Sequence, residues 1–266
     1  MPWRASGDNS KAGLNRYPEP QPHALVERMA QLYDVPARQL LVGRGSDEAI
    51  DLLVRAFCRA GQDSVAITPP TFGFYKVAAR IQGAGVLEVP LLRDGFALDA
   101  GQVIAAGLRA KIVFLCSPNN PTGNLLDEVA MLRVCTELAG KALVVVDEAY
   151  VEFCDRASLT ARLAEYPNLV ILRTLSKAYA LAGARLGTVI ASEEIIGLLR
   201  RIIPPYAIPA STVEEVLAFG NRCGEELQDL SSPAERQAEL EAKGRAAASQ
   251  YFAAAPKSKS APRQVD

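Results

Sequence analysis

Two runs near the middle of the chain, "KIVFLC" (111–116) and "ALVVVD" (142–147), are apolar at consecutive positions, and this narrows the choice of fold more than any other feature. A strand with one wet face alternates apolar and polar residues. A strand that does not alternate has to be covered on both faces, as in the parallel sheets of α/β domains. "NLVILR" (168–173) has the same character, and "QLLVG" (39–43), "SVAIT" (64–68), "VLEVPL" (86–91) and "GTVIA" (187–191) add four further short runs. Between them lie segments with helical spacing, at 47–58, 126–138 and 193–203. The rhythm predicts an α/β domain with a mostly parallel central sheet flanked by helices.

In such sheets ligands gather at the carboxyl ends of the strands. The segments that follow the runs are "GRGSDEAI" (43–50), "TPPTFGFY" (68–75), "CSPNNPTG" (116–123), "DEAY" (147–150) and "TLSK" (174–177). Asp147 closes the most apolar run, and a carboxylate there needs a partner because an unpaired buried charge is expensive. Two partners suit it: a helix N-terminus that it caps, or a protonated pyridine nitrogen. Lys177 stands just past a strand end; alone it reads as a solvated charge, and near groups that keep part of it neutral it is able to form a Schiff base with a carbonyl. Gly45, Ser46 and Asp47 fall where a helix begins, either as an ordinary cap or as a phosphate cradle. Arg185 suits either a surface ion pair or a phosphate. Phe72 and Tyr75 are each suited to core packing or to stacking on a ring. Asn120 sits in a turn shaped by Pro121 and Gly123.

Charges nearly cancel, with 29 Lys+Arg against 30 Asp+Glu, so nothing favours nucleic acid or an anionic membrane, and a small-molecule partner is expected. The five cysteines show no C-x-x-C spacing and their odd count argues against a disulfide framework. The start has no apolar segment typical of export, and no later stretch reaches the ~18 apolar residues of a membrane helix, so a cytoplasmic protein is expected. No metal site is expected. "GRGSDE" lacks the third glycine of a dinucleotide-binding G-x-G-x-x-G.

Taken in order, "RYPEP", "GRGSDEAI", "PPTFGFY", "SPNNPTG", "VVVDEAYVEF" and "RTLSKAYALAGARLG" resemble the class II branch of the fold-type I pyridoxal-phosphate aminotransferases, most closely the histidinol-phosphate aminotransferases. The similarity covers roughly residues 14–212. It implies a pyridoxal 5′-phosphate-binding large domain at 23–205, an N-terminal arm at 1–22, and at 206–266 an incomplete start of a small domain followed by a polar, low-complexity tail. It implies Lys177 as the covalent attachment point and proton shuttle, Asp147 as partner of the ring nitrogen, and Asn120 and Tyr150 as the pair at the ring hydroxyl. By the same resemblance Phe72 is the stacking aromatic, and Gly45, Ser46, Asp47, Thr174 and Arg185 surround the phosphate. Tyr17 is similar to the tyrosine that reaches the phosphate of a neighbouring subunit, which implies a homodimer with shared sites. The implied reaction exchanges an amino group between L-histidinol phosphate and 2-oxoglutarate, giving imidazole-acetol phosphate and L-glutamate, in histidine biosynthesis. Aromatic or broad-range aminotransferases, a threonine-phosphate decarboxylase and an incompetent remnant are the other members of the comparison. Two family pieces have no counterpart: an "N-E-x-P" segment before the arm, and a later arginine for the substrate anion, a role assigned to none of Arg236, Arg245 and Arg263.

Overall fold

A computed structural model describes residues 15–228. All seven apolar runs become strands of one sheet: β1 (Leu40–Gly43), β2 (Ser64–Ile67), β3 (Gly85–Glu88), β4 (Ile112–Cys116), β5 (Leu143–Asp147), β6 (Leu169–Thr174) and β7 (Gly187–Ile190). Their order is β1-β7-β6-β5-β4-β2-β3, with β5 in the middle. Every pairing from β6 through β3 is parallel, whereas β7 runs antiparallel to both β6 and β1. The expected "mostly parallel" sheet is therefore present with one reversed strand.

Because successive side chains of a strand point to opposite faces, the consecutive apolar residues divide into two cores. Val144, Val146, Leu169 and Ile171 pack on one face with α1 (His23–Tyr33), α4 (Ala100–Gly107) and α5 (Glu128–Glu137). Val145, Val170 and Leu172 pack on the other with α2 (Gly45–Phe57), α3 (Phe74–Gln82) and α6 (Glu193–Arg200). Each fully buried Val, Leu or Ile contributes about 1.5–3 kcal/mol, so a charged residue at Val145 or Val170, both fully buried, would break the centre of the sheet. The β3 edge, with an exposed or half-buried pattern, carries little of this core. A last described helix, α7 (Ala210–Gln228), packs against α1.

The reversed β7 has a positional consequence. Its first residue, Gly187, pairs with the last residues of β1 and β6, Gly43 and Thr174, so the amino end of β7 joins the carboxyl ends of its neighbours at one edge. Among the described residues no helix is long and apolar enough to cross a membrane. Arg236, Arg245 and Arg263 lie outside the described residues, as do positions 1–14 of the arm and 229–266 of the tail.

Candidate active site

The carboxyl edge brings together five loops. Asp147 ends β5 and is buried. The Tyr75 hydroxyl donates to its Oδ2 (2.7 Å) and the Ala149 N–H to its Oδ1 (3.1 Å). No ion pair reaches it among the described residues. Burial pushes its pKa above the ordinary carboxylate value, against the pull of its two hydrogen bonds. The same burial raises Tyr75 well above the usual phenol range and Cys116 to about 12. The result is a carboxylate held rigidly in an apolar wall and short of a positive charge.

The contact of Tyr75 with Asp147 is not legible in the sequence. Tyr75 is fully buried and stacks on Phe114, with centroids 4.7 Å apart and 6° between planes. That stack aims the hydroxyl at Asp147, while Phe72, edge-on to Tyr75 at 5.5 Å, stays half-buried, as does Phe74. Asn119 is likewise unmarked by its motif. Its Oδ1 accepts from the Thr71 hydroxyl (3.0 Å), and its Nδ2 donates to the Pro70 carbonyl (2.8 Å) and the Thr122 hydroxyl (2.6 Å). One side chain thus ties the loop after β2, which carries Phe72, to the loop after β4, which carries half-buried Asn120. The doubled Asn of "PNNP" is the only trace of this in the sequence.

Lys177 lies in the loop after β6, half-buried, its Nζ 5.5 Å from the centroid of the Tyr150 ring. Thr174 closes β6, and its hydroxyl donates to the Leu186 carbonyl (3.2 Å) while accepting from the Ser176 N–H (3.2 Å). These bonds shape the turn that delivers Lys177. Further along, Ala180 and Arg185 hold φ values of 53° and 52°, a left-handed conformation that non-glycine residues keep only where their surroundings impose it.

The opposite wall is the start of α2. Gly45 has φ 81°, and a Cβ there would sit 2.8 Å from Arg185 Nη2. A Cβ on Gly187 would lie 2.5 Å from the Gly45 carbonyl carbon and 2.6 Å from the Ser46 nitrogen. Both glycines therefore allow the approach of β7 to the helix N-terminus. Arg44, at the N-cap, provides no side-chain cap, so first-turn N–H groups remain for another acceptor, in the positive field of a helix end. Arg185 Nη2 stands 3.6 Å from the Asp47 carboxylate. The carboxylate of Asp47 is thereby turned to a cation, and what this residue offers an anion is its N–H. A cavity of about 360 Å³ opens beside Asp47 and Arg185.

Tyr17 is the one candidate that the described contacts leave outside the cluster: it is 81% exposed and stacks on Tyr206 at 4.6 Å. Among the described residues no group of three or more His, Cys, Asp or Glu is placed to hold a metal ion.

A family model, "Aminotransferase class I and II", matches residues 3–243. Histidinol-phosphate aminotransferase of Stenotrophomonas maltophilia (strain R551-3) is 54% identical over 218 residues, 80% of this chain and 59% of the relative. That of Xylella fastidiosa (strain 9a5c) is 52% identical over 215 residues, 79% of this chain and 59% of the relative. The chain thus spans about three-fifths of the length of these curated relatives. Among solved structures, histidinol-phosphate aminotransferase from Sinorhizobium meliloti in complex with pyridoxal-5′-phosphate superposes with a TM-score of 0.73 over 88% of this chain and 61% of that one, at 23% identity, a likeness of fold.

Proposed function

Because the chain belongs to the class I and II aminotransferase family, we propose that it forms the cofactor-binding unit of an enzyme that moves an amino group between L-histidinol phosphate and 2-oxoglutarate. The family's cofactor is pyridoxal 5′-phosphate. Histidinol phosphate as substrate is supported by relatives that are 52–54% identical and named histidinol-phosphate aminotransferase, and 2-oxoglutarate as its counterpart is part of the proposal.

The residues of the carboxyl edge fit that cofactor. The observation that carries the proposal is Asp147, a buried carboxyl with two hydrogen bonds and no ion pair among the described residues. Asp147 would pair with the ring nitrogen of the bound cofactor and keep it protonated. The uncapped start of α2, with the N–H groups of Gly45, Ser46 and Asp47, suits a dianionic phosphate, and Arg185 adds a cation beside it. Phe72 is the aromatic assigned to one face of a ring, and Asn120 and Tyr150 are the polar groups for its hydroxyl.

Bound pyridoxal phosphate supplies an electron-withdrawing ring that accepts the electron pair left when a proton leaves the substrate's α-carbon. What the chain contributes is placement and proton traffic. Lys177 Nζ is the attachment point and, once free, the base that takes the α-proton and returns it, because it is the amine that the loop after β6 delivers beside Tyr150. Thr174 and Ser176 hold the turn that carries it. Tyr17, exposed and free of the cluster, is assigned to the phosphate of a second protomer's site in a cytoplasmic homodimer. The domain limits 23–205 and 206–266 belong to the same proposal.

The test is reduction with borohydride after incubation with pyridoxal 5′-phosphate, followed by peptide mapping. The expected label is on Lys177, lost in Lys177→Ala. Label on another lysine would overturn the assignment.

A further inference from the structure

Behind the site, on the opposite face of the sheet, lies a buried ionic cluster that the proposed reaction does not use. Strand alternation puts it there. Asp147 and Thr174 point toward the α2/α3 face, so their chain neighbours Glu148 and Arg173 point toward the α1 face. Arg173 Nη2 donates to Glu152 Oε1 at 2.7 Å, and its Nη1 lies 3.5 Å from Glu148 Oε2. Its guanidinium covers the Tyr33 ring of α1, with Cζ 4.6 Å from the centroid. Glu148 in turn accepts from the Ser158 hydroxyl (2.5 Å) and the Leu159 N–H (2.8 Å). The Tyr179 hydroxyl borders Glu152.

Four of the cluster's members are one or two residues from a member of the site. Glu148 follows Asp147, Glu152 is two beyond Tyr150, Arg173 precedes Thr174, and Tyr179 is two beyond Lys177. The backbone of the Lys177 loop makes local bonds, among them Leu175 N–H to the Leu186 carbonyl, Ala180 N–H to the Lys177 carbonyl, Leu181 N–H to the Leu175 carbonyl and Ala184 N–H to the Leu181 carbonyl, and it keeps two non-glycine residues left-handed. The cluster behind the sheet adds a hold on that shape from outside the loop. A guanidinium with only 8% of its side chain exposed cannot lose its carboxylates without leaving an unpaired buried charge, so moving any one of these loops strips the others.

We propose that Arg173 is a positioning residue, fixing from behind the sheet the end of β5 that carries Asp147 and the two loops that carry Tyr150 and Lys177, through its ion pairs with Glu148 and Glu152 and the contact of Glu152 with Tyr179. Its importance to the reaction rests on the function proposed above, but the tie itself is testable without cofactor. Hydrogen–deuterium exchange is measured on the cofactor-free chain for Arg173→Met, Arg173→Lys, Glu152→Gln and Tyr179→Phe, well below the melting temperature of each. In Arg173→Met the amides of 147–153 and 174–181 should exchange about tenfold faster, and about threefold faster in Glu152→Gln and Tyr179→Phe, while amides of α2 and α3 keep their protection. Arg173→Lys, which keeps the charge, should recover part of the loss. An increase spread equally over α2 and α3 would mean a general structural role, and unchanged exchange in both loops would mean no tie; either sinks the proposal. If Arg173→Met does not fold, Glu152→Gln and Tyr179→Phe decide by the same criterion. A parallel titration with pyridoxal 5′-phosphate should show weaker binding by the variants, with borohydride label still on Lys177. Absence of label on the unmodified chain would count against the proposed function, and the exchange result would still decide the tie.

Discussion

Changing Asp147 to asparagine removes one negative charge and almost no volume from the centre of the proposed site, and it should make the cofactor-free chain more stable. The carboxylate is buried and its pKa is raised by that burial, despite hydrogen bonds from Tyr75 and Ala149. Two hydrogen bonds to a charged acceptor are together worth about 3–6 kcal/mol, and the effective penalty for burying a charge is several kcal/mol. The upward direction of the shift says that the penalty wins. Linkage sets a ceiling. For a carboxyl whose ordinary value is 3.8, the loss at pH 7 cannot exceed about 4.4 kcal/mol, the value reached if it stays protonated in the fold.

Asparagine keeps both contacts, since its Oδ1 accepts from Ala149 and its Nδ2 donates to the Tyr75 oxygen, which serves equally as acceptor. The expected gain is therefore about 1–3 kcal/mol at pH 7, a rise of roughly 2–4 °C in midpoint per kcal/mol for a chain of this size. The sign with pH is fixed. With its folded pKa raised, the native state binds the extra proton, so this stability is present below the unfolded value and is lost as pH rises through the folded one. The advantage of Asp147→Asn should then shrink to nothing as pH falls toward 3.8. Urea unfolding of both proteins between pH 4 and pH 8 measures it. Added pyridoxal 5′-phosphate should reverse the order, because a ligand that binds the native state stabilises it by mass action and only the carboxylate offers a partner to its ring nitrogen. A variant that is less stable than the parent at pH 7, or a difference that does not change with pH, would refute the reasoning.

Tyr75→Phe keeps the stack on Phe114 and removes the donor to Asp147 Oδ2, and should cost about 1–2 kcal/mol at pH 7; a double-mutant cycle with Asp147→Asn should show the two coupled, whereas additive effects would separate them. Gly187→Ala forces a methyl against the Gly45 and Ser46 backbone at 2.5–2.6 Å, and is expected to destabilise by about 1–3 kcal/mol and to weaken binding of pyridoxal phosphate more than that of pyridoxal, as fluorescence titration would show. Asn119→Ala leaves the Pro70 carbonyl and the Thr71 and Thr122 hydroxyls without their shared partner, a loss of about 2–4 kcal/mol by urea unfolding.

The strands were legible because burial on two faces writes itself into consecutive positions; all seven runs became strands of the sheet. "VLEVPL" was the least accurate, since β3 stops at Glu88 on an exposed edge where no core fixes its length. Helix α4 went unread because "AGQVIAAG", with its two glycines and one polar side chain, has no polar face to reveal a period. Apolar pattern carries no direction either, so nothing in "GTVIA" announced that β7 is reversed. The clue was its connection: residues 175–186 contain no α-helix, and a parallel neighbour needs a crossover that is usually helical.

The limits of the site reading have one physical cause. Sequence motifs mark residues that sit together along the chain at a strand end, and Asp147, Lys177, Asn120 and the Gly45–Asp47 turn are of that kind. Tyr75 and Arg173 act through contacts that the chain order does not show. Tyr75 meets Asp147 at a separation of 72 residues, and Arg173 reads as the polar full stop of "NLVILR" although it is buried behind the sheet. A strand end in a covered sheet has two faces, and alternation obliges the residue next to each site residue to be buried on the other one. At positions 148 and 173 those neighbours are charged, with a glutamate and an arginine close enough to pair. The carboxyl edge is thereby braced by ions on one face where it presents Asp147, short of a cation, on the other. A charged residue directly beside a strand-end site residue is, on this argument, as informative as the site residue itself.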